Sequence, residues 1–423
     1  MEEAIEIDAD PSTRIDALLQ AALNNETRIP KVILDLIPSA SITVSSLLKM
    51  DLPTPLYPSA VNLRPAELCI TDVATRWTVK ELMKVPIPPR AWLSGLEIAL
   101  KKKWLTRARV NSAQHPTISG LYLPLWAGNF WYSLVGSAEQ KEEWRRAEDW
   151  VSGRMQDMKV YEARDLMGRI PWGMRVWALA GADSSSFVGV LARLLSTGWL
   201  GERHLDTLAS YLNFRASRDR KGTGECWVGD VYLSIRLKEV YRAAKKSISD
   251  DWDLKKYRDT ITTNGYKRLL FPANLNDNHW IVFSVDLIKH EFRYGAPPHF
   301  SEHGCTHTHP PPLCVPGDSF GNRGPNTDLQ HICRGLANWL SVMFGASFED
   351  LGNTLPIGRQ EDAHSCGICV VNAMEHAMFG VPLFRDRDRY GLRVWYFVEV
   401  VEYLLNNVGV PFCTRSNNTH MCI

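Results

Sequence analysis

The stretch His364-Ser365-Cys366-Gly367-Ile368-Cys369-Val370-Val371-Asn372-Ala373 decides how this chain reads. A Cys-Gly pair opens an apolar run in which Ile368, Val371, Met374 and Met378 recur at helical spacing, which predicts a buried helix. Cys366 then heads that helix, where unpaired N–H groups and the helix dipole favour a thiolate. A thiolate nucleophile needs a base, and the base needs a group that orients it. Upstream, His279-Trp280 heads the strand-like run Ile281-Val282-Phe283-Ser284-Val285, and Asp318 follows the extended run Phe292-Arg293-Tyr294. Gln360 stands six positions before Cys366. The candidate catalytic set is therefore His279, Asp318, Gln360 and Cys366.

The ordered set of His-Trp and apolar strand, then Asp-Ser, then Gln-x5-Cys-Gly resembles the ubiquitin-like proteases, the cysteine proteases that process SUMO and related modifiers. The resemblance covers roughly residues 188–412. It implies an α+β domain of papain-like or adenain-like type, a small mixed sheet against a central helix headed by the cysteine, preceded by a mainly helical N-terminal region. It also implies the chemistry. Cys366 attacks the carbonyl of the modifier's last glycine, His279 carries the proton, Asp318 orients the imidazole, and Gln360 donates to the oxyanion. The family has a Trp-Leu pair entering a helix and a Trp after the histidine, and the two indoles wall a tunnel for the Gly-Gly tail. Trp199 and Trp280 match those positions and are the expected substrate-binding residues. The expected partners are SUMO, NEDD8 or ubiquitin and their conjugates, and no metal or other cofactor is required.

Bulk properties agree with such a protein. The 423 residues suggest two or three domains, and 45% hydrophobic with 22% charged residues is ordinary for a globular chain. A net charge of +1 points to neither nucleic acid nor a membrane surface as a bulk partner. No apolar stretch approaches the roughly 18 residues of a bilayer span. The acidic start Met1-Glu2-Glu3 lacks a signal-peptide pattern, and nine scattered cysteines favour reduced thiols, so an intracellular location, nucleus or cytoplasm, is expected.

Before the catalytic region, residues 1–75 read as irregular with one short helix near 10–23. Residues 76–185 read as a Trp-rich, mainly helical domain, since nine of fifteen tryptophans fall between Trp77 and Trp177. A long helix is expected over about 138–166, a linker over 180–187 and a catalytic domain from Val188 to 412, with a loose tail over 413–423. Strands are expected near 267–272 and 280–287, an amphipathic helix from Asp328 to Phe344, and a last helix from Leu392 to Leu405. Lys101-Lys102-Lys103 with Arg107 and Arg109 reads as a solvated face or a nuclear-import signal.

Residues 296–317, rich in proline and histidine, stand between the expected strand end and Asp318. Without them the text runs Tyr294-Gly295-Asp318-Ser319, a smooth strand into the expected aspartate. They read as an insertion, either a surface loop or a retained intron. The segment holds His299, His303, Cys305, His307, His309 and Cys314, but the spacing fits no common zinc finger. Other readings stay open: a catalytically inactive module that binds a ubiquitin-like protein, a Cys-His acyltransferase of the same fold, a redox pair at Cys366-x-x-Cys369, and a serine hydrolase using Ser319 within Gly317-Asp318-Ser319-Phe320-Gly321.

Overall fold

The computed structural model describes residues 28–52, 69–73, 75–87, 90–105, 111–116, 118–154, 157–176, 187–218, 225–243, 248–296 and 326–407. The expected helix near 10–23, most of the insert, Asp318, Ser319 and the tail lie outside the described residues. So do Arg107, Arg109 and most of the 180–187 linker. The chain divides into two compact units, and the second runs from Glu143 to Gly409.

In the first unit, α1 (Arg90–Leu105) and the start of α2 (Trp126–Ser152) pack with a small antiparallel sheet of β1 (Ile70–Thr71), β2 (Ser112–Gln114) and β3 (Tyr122–Pro124). Its core gathers Trp92, Leu96, Leu100, Leu123, Phe130, Trp131 and Leu134, with Trp77 and Trp126 against it. Part of the tryptophan density of this region is thus spent on packing.

The second unit begins 45 residues before the expected Val188, for a physical reason. Trp144 is fully buried, with its ring edge-on to Phe397 at 6.2 Å. Helix α3 (Met158–Met167) packs along the last helix of the chain, α9 (Arg389–Asn407). The single helix expected over 138–166 is two, because the chain turns at Gly153-Arg154 and Asp157 then caps α3 by accepting from Lys159 N at 2.9 Å.

A mixed five-stranded sheet lies at the centre of this unit. Its strands are β4 (Cys226–Val228), β5 (Arg268–Leu275), β6 (His279–Asp286), β7 (Glu291–Gly295) and β8 (Glu349–Asn353), in that spatial order. β4 pairs parallel to β5, β5 to β7 form an antiparallel meander, and β8 pairs parallel to β7. Strand side chains alternate between faces. Phe271, Ala273, Ile281, Phe283, Val285 and Phe292 therefore share one face, covered by α5 (Val231–Ala243), α6 (Trp252–Thr263) and α7 (Thr327–Phe344) through Leu237, Leu254, Leu336 and Trp339.

The opposite face takes α8 (Cys366–Phe379), which lies on β5 and β6 and is backed by α4 (Glu202–Arg218) and α9. A helix that is apolar all round needs cover all round, and eleven of the fourteen α8 residues are buried. Gly380 ends it in the left-handed conformation, φ 69°, with its N–H on His376 O at 2.8 Å. No helix among the described residues is long and apolar enough to cross a membrane.

Candidate active site

His279 is the first residue of β6, paired in register with Leu275 across a three-residue turn. Asn276 and Asp277 hold φ values of 51° and 56° in that turn. Asn and Asp tolerate this left-handed region better than other residues with side chains. The turn is also pinned from outside. Asn276 N donates to Asp328 Oδ2 at 3.3 Å, and the same carboxylate takes Lys238 Nζ at 3.2 Å and Arg242 Nη2 at 2.7 Å. Burial alone would raise the Asp328 pKa. The hydrogen bonds from Lys238 and Asn276, with the charges of Lys238 and Arg242, outweigh it and leave the carboxyl below its usual value.

Cys366 is the first residue of α8 and is fully buried. Its approach is shaped by Asp362, whose Oδ1 accepts from His364 N at 2.9 Å and Ser365 N at 2.7 Å while Oδ2 accepts from Ser365 Oγ at 2.7 Å. The glycine after the cysteine answers a packing demand: a Cβ at Gly367 would lie 3.0 Å from Leu200 Cβ. The first turn of α8 is thereby pressed against the segment that carries Trp199. Burial pushes the Cys366 thiol up, whereas the Trp280 main chain, the Trp199 indole and the Gly367 main chain each pull it down. The net shift is upward, so ionisation of this thiol in the unliganded protein leans on a proton acceptor beside it. The Trp280 main chain at the thiol is that of the residue after His279.

Gln360 is 1% exposed. Its Oε1 accepts weakly from Cys369 Sγ at 3.9 Å, while its Nε2 is buried without a hydrogen-bond partner. Trp199 Nε1 is a second buried donor, and it faces the Cys366 thiol. Buried polar groups are nearly always satisfied, so unsatisfied ones ask for an explanation. A buried amide N–H with no partner is suited to receiving negative charge that appears during a reaction.

Trp199 and Trp280 stack, with ring centroids 5.4 Å apart and planes at 21°, and Trp280 Nε1 donates to Leu200 O at 2.6 Å. A main chain threaded between two rings needs a carbon–carbon contact of roughly 3.5–4 Å on each side. The faces in this structure are too close for that.

The structure thus brings Trp199, Trp280, Gln360 and Cys366 to one end of α8, with His279 at the adjoining strand end. Asp318, the expected orienting acid, lies outside the described residues, as do Ser319 and the six histidines and cysteines of the insert. Of Cys366-x-x-Cys369, the second thiol is fully buried one turn into the helix, and burial pushes its pKa far up. Sequence reasoning passed over Asp362 and Arg393, whose partners near the cysteine are largely main-chain atoms.

Residues 251–408 match the family model of the Ulp1 protease family, C-terminal catalytic domain. Over that segment the chain is similar to the catalytic domain of the Ulp1 family of cysteine proteases. His279, Trp280, Asp318, Gln360 and Cys366 fall inside the matched segment, and Trp199 precedes it. Among solved structures, the chain is similar to the SUMO protease Ulp1 with its catalytic cysteine oxidised to a sulfonic acid. That match has 15% identity and TM-score 0.39, and covers 58% of this chain and 96% of that one. It is also similar to the C-terminal Ulp1 protease domain in complex with Smt3, the yeast ortholog of SUMO (17% identity, TM-score 0.37, 58% and 95% covered). A third is the Ulp1-like SUMO protease catalytic domain of Chaetomium thermophilum (13% identity, TM-score 0.31, 53% and 82% covered). No curated protein matches the chain.

Proposed function

We propose that the protein is a thiol peptidase and isopeptidase that cleaves after the C-terminal Gly-Gly of SUMO or a related ubiquitin-like modifier. The observation that carries this reading is the end of α8: a cysteine on the first helical residue, against the main chain that follows His279, with the unpartnered Nε2 of Gln360 nearby. The Ulp1-family match over 251–408 supports the same chemistry.

In this mechanism Cys366 Sγ loses its proton to the His279 imidazole and attacks the carbonyl carbon of the modifier's last glycine. The developing oxyanion takes hydrogen bonds from Gln360 Nε2 and the Cys366 main-chain N–H, one such donor being worth about 3 kcal/mol in the transition state. The imidazolium returns its proton to the leaving amine, a lysine side chain in a conjugate. Water then hydrolyses the thioester, with the same imidazole as its base. Asp318 holds the imidazole orientation, as the acid does in a serine-protease triad. Trp199 and Trp280 pass only residues without side chains, which selects Gly-Gly, and their stacked rings part to admit the tail.

The test uses ubiquitin, SUMO and NEDD8 carrying a C-terminal electrophile. Each is incubated with the protein, with Cys366→Ala and with a deletion of 296–317. A covalent adduct on SUMO that disappears in Cys366→Ala is expected. No adduct with any modifier from a folded protein overturns the reading and favours a binding module. An adduct only after the deletion means that the insert blocks the site.

A further inference from the structure

Arg393 sits in the second turn of α9 and is 1% exposed, an unusual place for a guanidinium. Three hydrogen bonds hold it, and every acceptor is a main-chain carbonyl. Nη1 donates to Arg193 O at 3.3 Å, and Nη2 donates to Gly198 O at 2.9 Å and His364 O at 3.3 Å. Gly198 is the residue before Trp199, and His364 is two residues before Cys366. One side chain on a distant helix thus fastens the main chain at one wall of the tryptophan pair and at the nucleophile.

We propose that Arg393 is a positioning residue of the cysteine site. Its fork sets the Trp199 segment and the Cys366 segment in register, and its buried charge faces the thiolate. The geometry separates this from ordinary core filling. Burying a cation is costly, and an apolar side chain of similar volume is often as good or better for stability. A carboxylate partner would neutralise the charge, but the three acceptors of Arg393 are neutral. The opposing charges that act on it are those of Asp362 and of an ionised Cys366. That attraction is mutual, so the guanidinium favours the Cys366 thiolate and opposes the Asp362 charge, which pushes the thiol up. Burial lowers the Arg393 pKa to about 10, which still leaves it charged at neutral pH. The other groups that share this field are Arg193 and His204 on the Trp199 side, His364 and Asp362 on the cysteine side, and Arg389 and Tyr390 on α9 itself. None of these joins both segments through its side chain, whereas Arg393 does.

The activity arm of the test rests on the proposed function; the thiol arm does not. Arg393→Met removes charge and fork, while Arg393→Lys keeps a charge on a single nitrogen that cannot span three carbonyls. The first readout is the pH dependence of Cys366 alkylation by iodoacetamide, followed on the Cys366 peptide by mass spectrometry. The second is kcat and KM on a SUMO carrying a C-terminal fluorogenic amide. In Arg393→Met the alkylation midpoint should rise by roughly one pH unit, which is about a tenfold fall in thiolate below the midpoint. In Arg393→Lys the midpoint should stay within about half of that shift while kcat falls roughly tenfold or more, as expected when reacting groups lose alignment. A Met variant with an unchanged midpoint and kcat and only a lower melting temperature overturns the proposal. If Arg393→Met does not fold, a Lys variant with the parent's kcat overturns it instead. If the parent protein shows a clear Cys366 titration but cleaves no modifier, the substrate reading fails and the alkylation arm still decides the role of Arg393.

Discussion

Gln360 Nε2 carries the sharpest consequence for a single residue. It is buried and unpartnered in the unliganded protein, so it contributes nothing to stability through hydrogen bonding there. In the proposed mechanism its contribution belongs to the transition state. Gln360→Ala is expected to lower kcat about 10²–10³-fold with KM nearly unchanged, the loss typical of one oxyanion donor. Steady-state kinetics on a modifier amide checks it, and a rise in KM at constant kcat would assign Gln360 to substrate binding instead. Gly367 makes the opposite case. A Cβ there meets Leu200 Cβ at 3.0 Å, so Gly367→Ala should push the Trp199 segment away and cost about 1–3 kcal/mol in chemical denaturation. These positions were legible in the sequence because each is a side chain in a fixed order along the chain: His-Trp, then Gln, then Cys-Gly. Arg393 and Asp362 were not. Arg393 works on carbonyls contributed by residues 200, 195 and 29 positions away, and a carbonyl leaves no mark in the sequence. Asp362 works on the main-chain N–H groups of its own turn.

Among elements, the β5–β6 hairpin is the one that delivers His279, and Asp328 at the start of α7 is what fastens its turn. The folded Asp328 carboxyl titrates below its usual value. A depressed carboxyl pKa stabilises the fold above the unfolded pKa of about 3.9 and stops doing so as pH falls through the folded value. Asp328→Asn should therefore lose about 1–3 kcal/mol at pH 7, the scale of hydrogen bonds to charged groups, and the gap to the parent should close below pH ~4. Urea unfolding of both proteins from pH 7 down to pH 3 measures this, and a gap that persists unchanged at pH 3 would mean that the charge is not the cause. The hairpin strands and helices α7, α8 and α9 were legible because their apolar positions repeat at period 2 or 3.6. β8 was not: Glu349-Asp350-Leu351-Gly352-Asn353 is a polar edge strand with little to bury, held by main-chain pairing to β7. Helices α5 and α6 start on the caps Asp230 and Asp251, and α6 runs through charged text, Asp253-Leu254-Lys255-Lys256, with few apolar positions to show a period.

For the whole molecule, the question is how much chain the catalytic core needs. The family match starts at 251, and the compact unit starts at Glu143. The difference includes α4, which covers one side of α8, and Leu200, which accepts the Trp280 indole N–H at 2.6 Å. A fragment of residues 251–408 would expose the α8 face that α4 covers. Each large apolar side chain returned to water costs about 1.5–3 kcal/mol, so a few of them rival the 5–15 kcal/mol of a typical domain. That fragment is expected not to unfold cooperatively. A fragment starting at Val188 regains α4 but lacks α3 and Trp144, which pack on α9. It should fold with a deficit on the scale of a buried Trp→Ala substitution, about 3–5 kcal/mol, against a fragment of residues 143–409. Thermal and urea melts of the three fragments decide the matter. Equal stability of the last two would place the boundary at the Ser-rich stretch near 184–186, where the text alone breaks. A deficit would mean that the domain begins with a helix that its composition assigns to the tryptophan-rich region before it. That helix lends its last turns to the packing of α9, and so to the element that carries Arg393 to the cysteine.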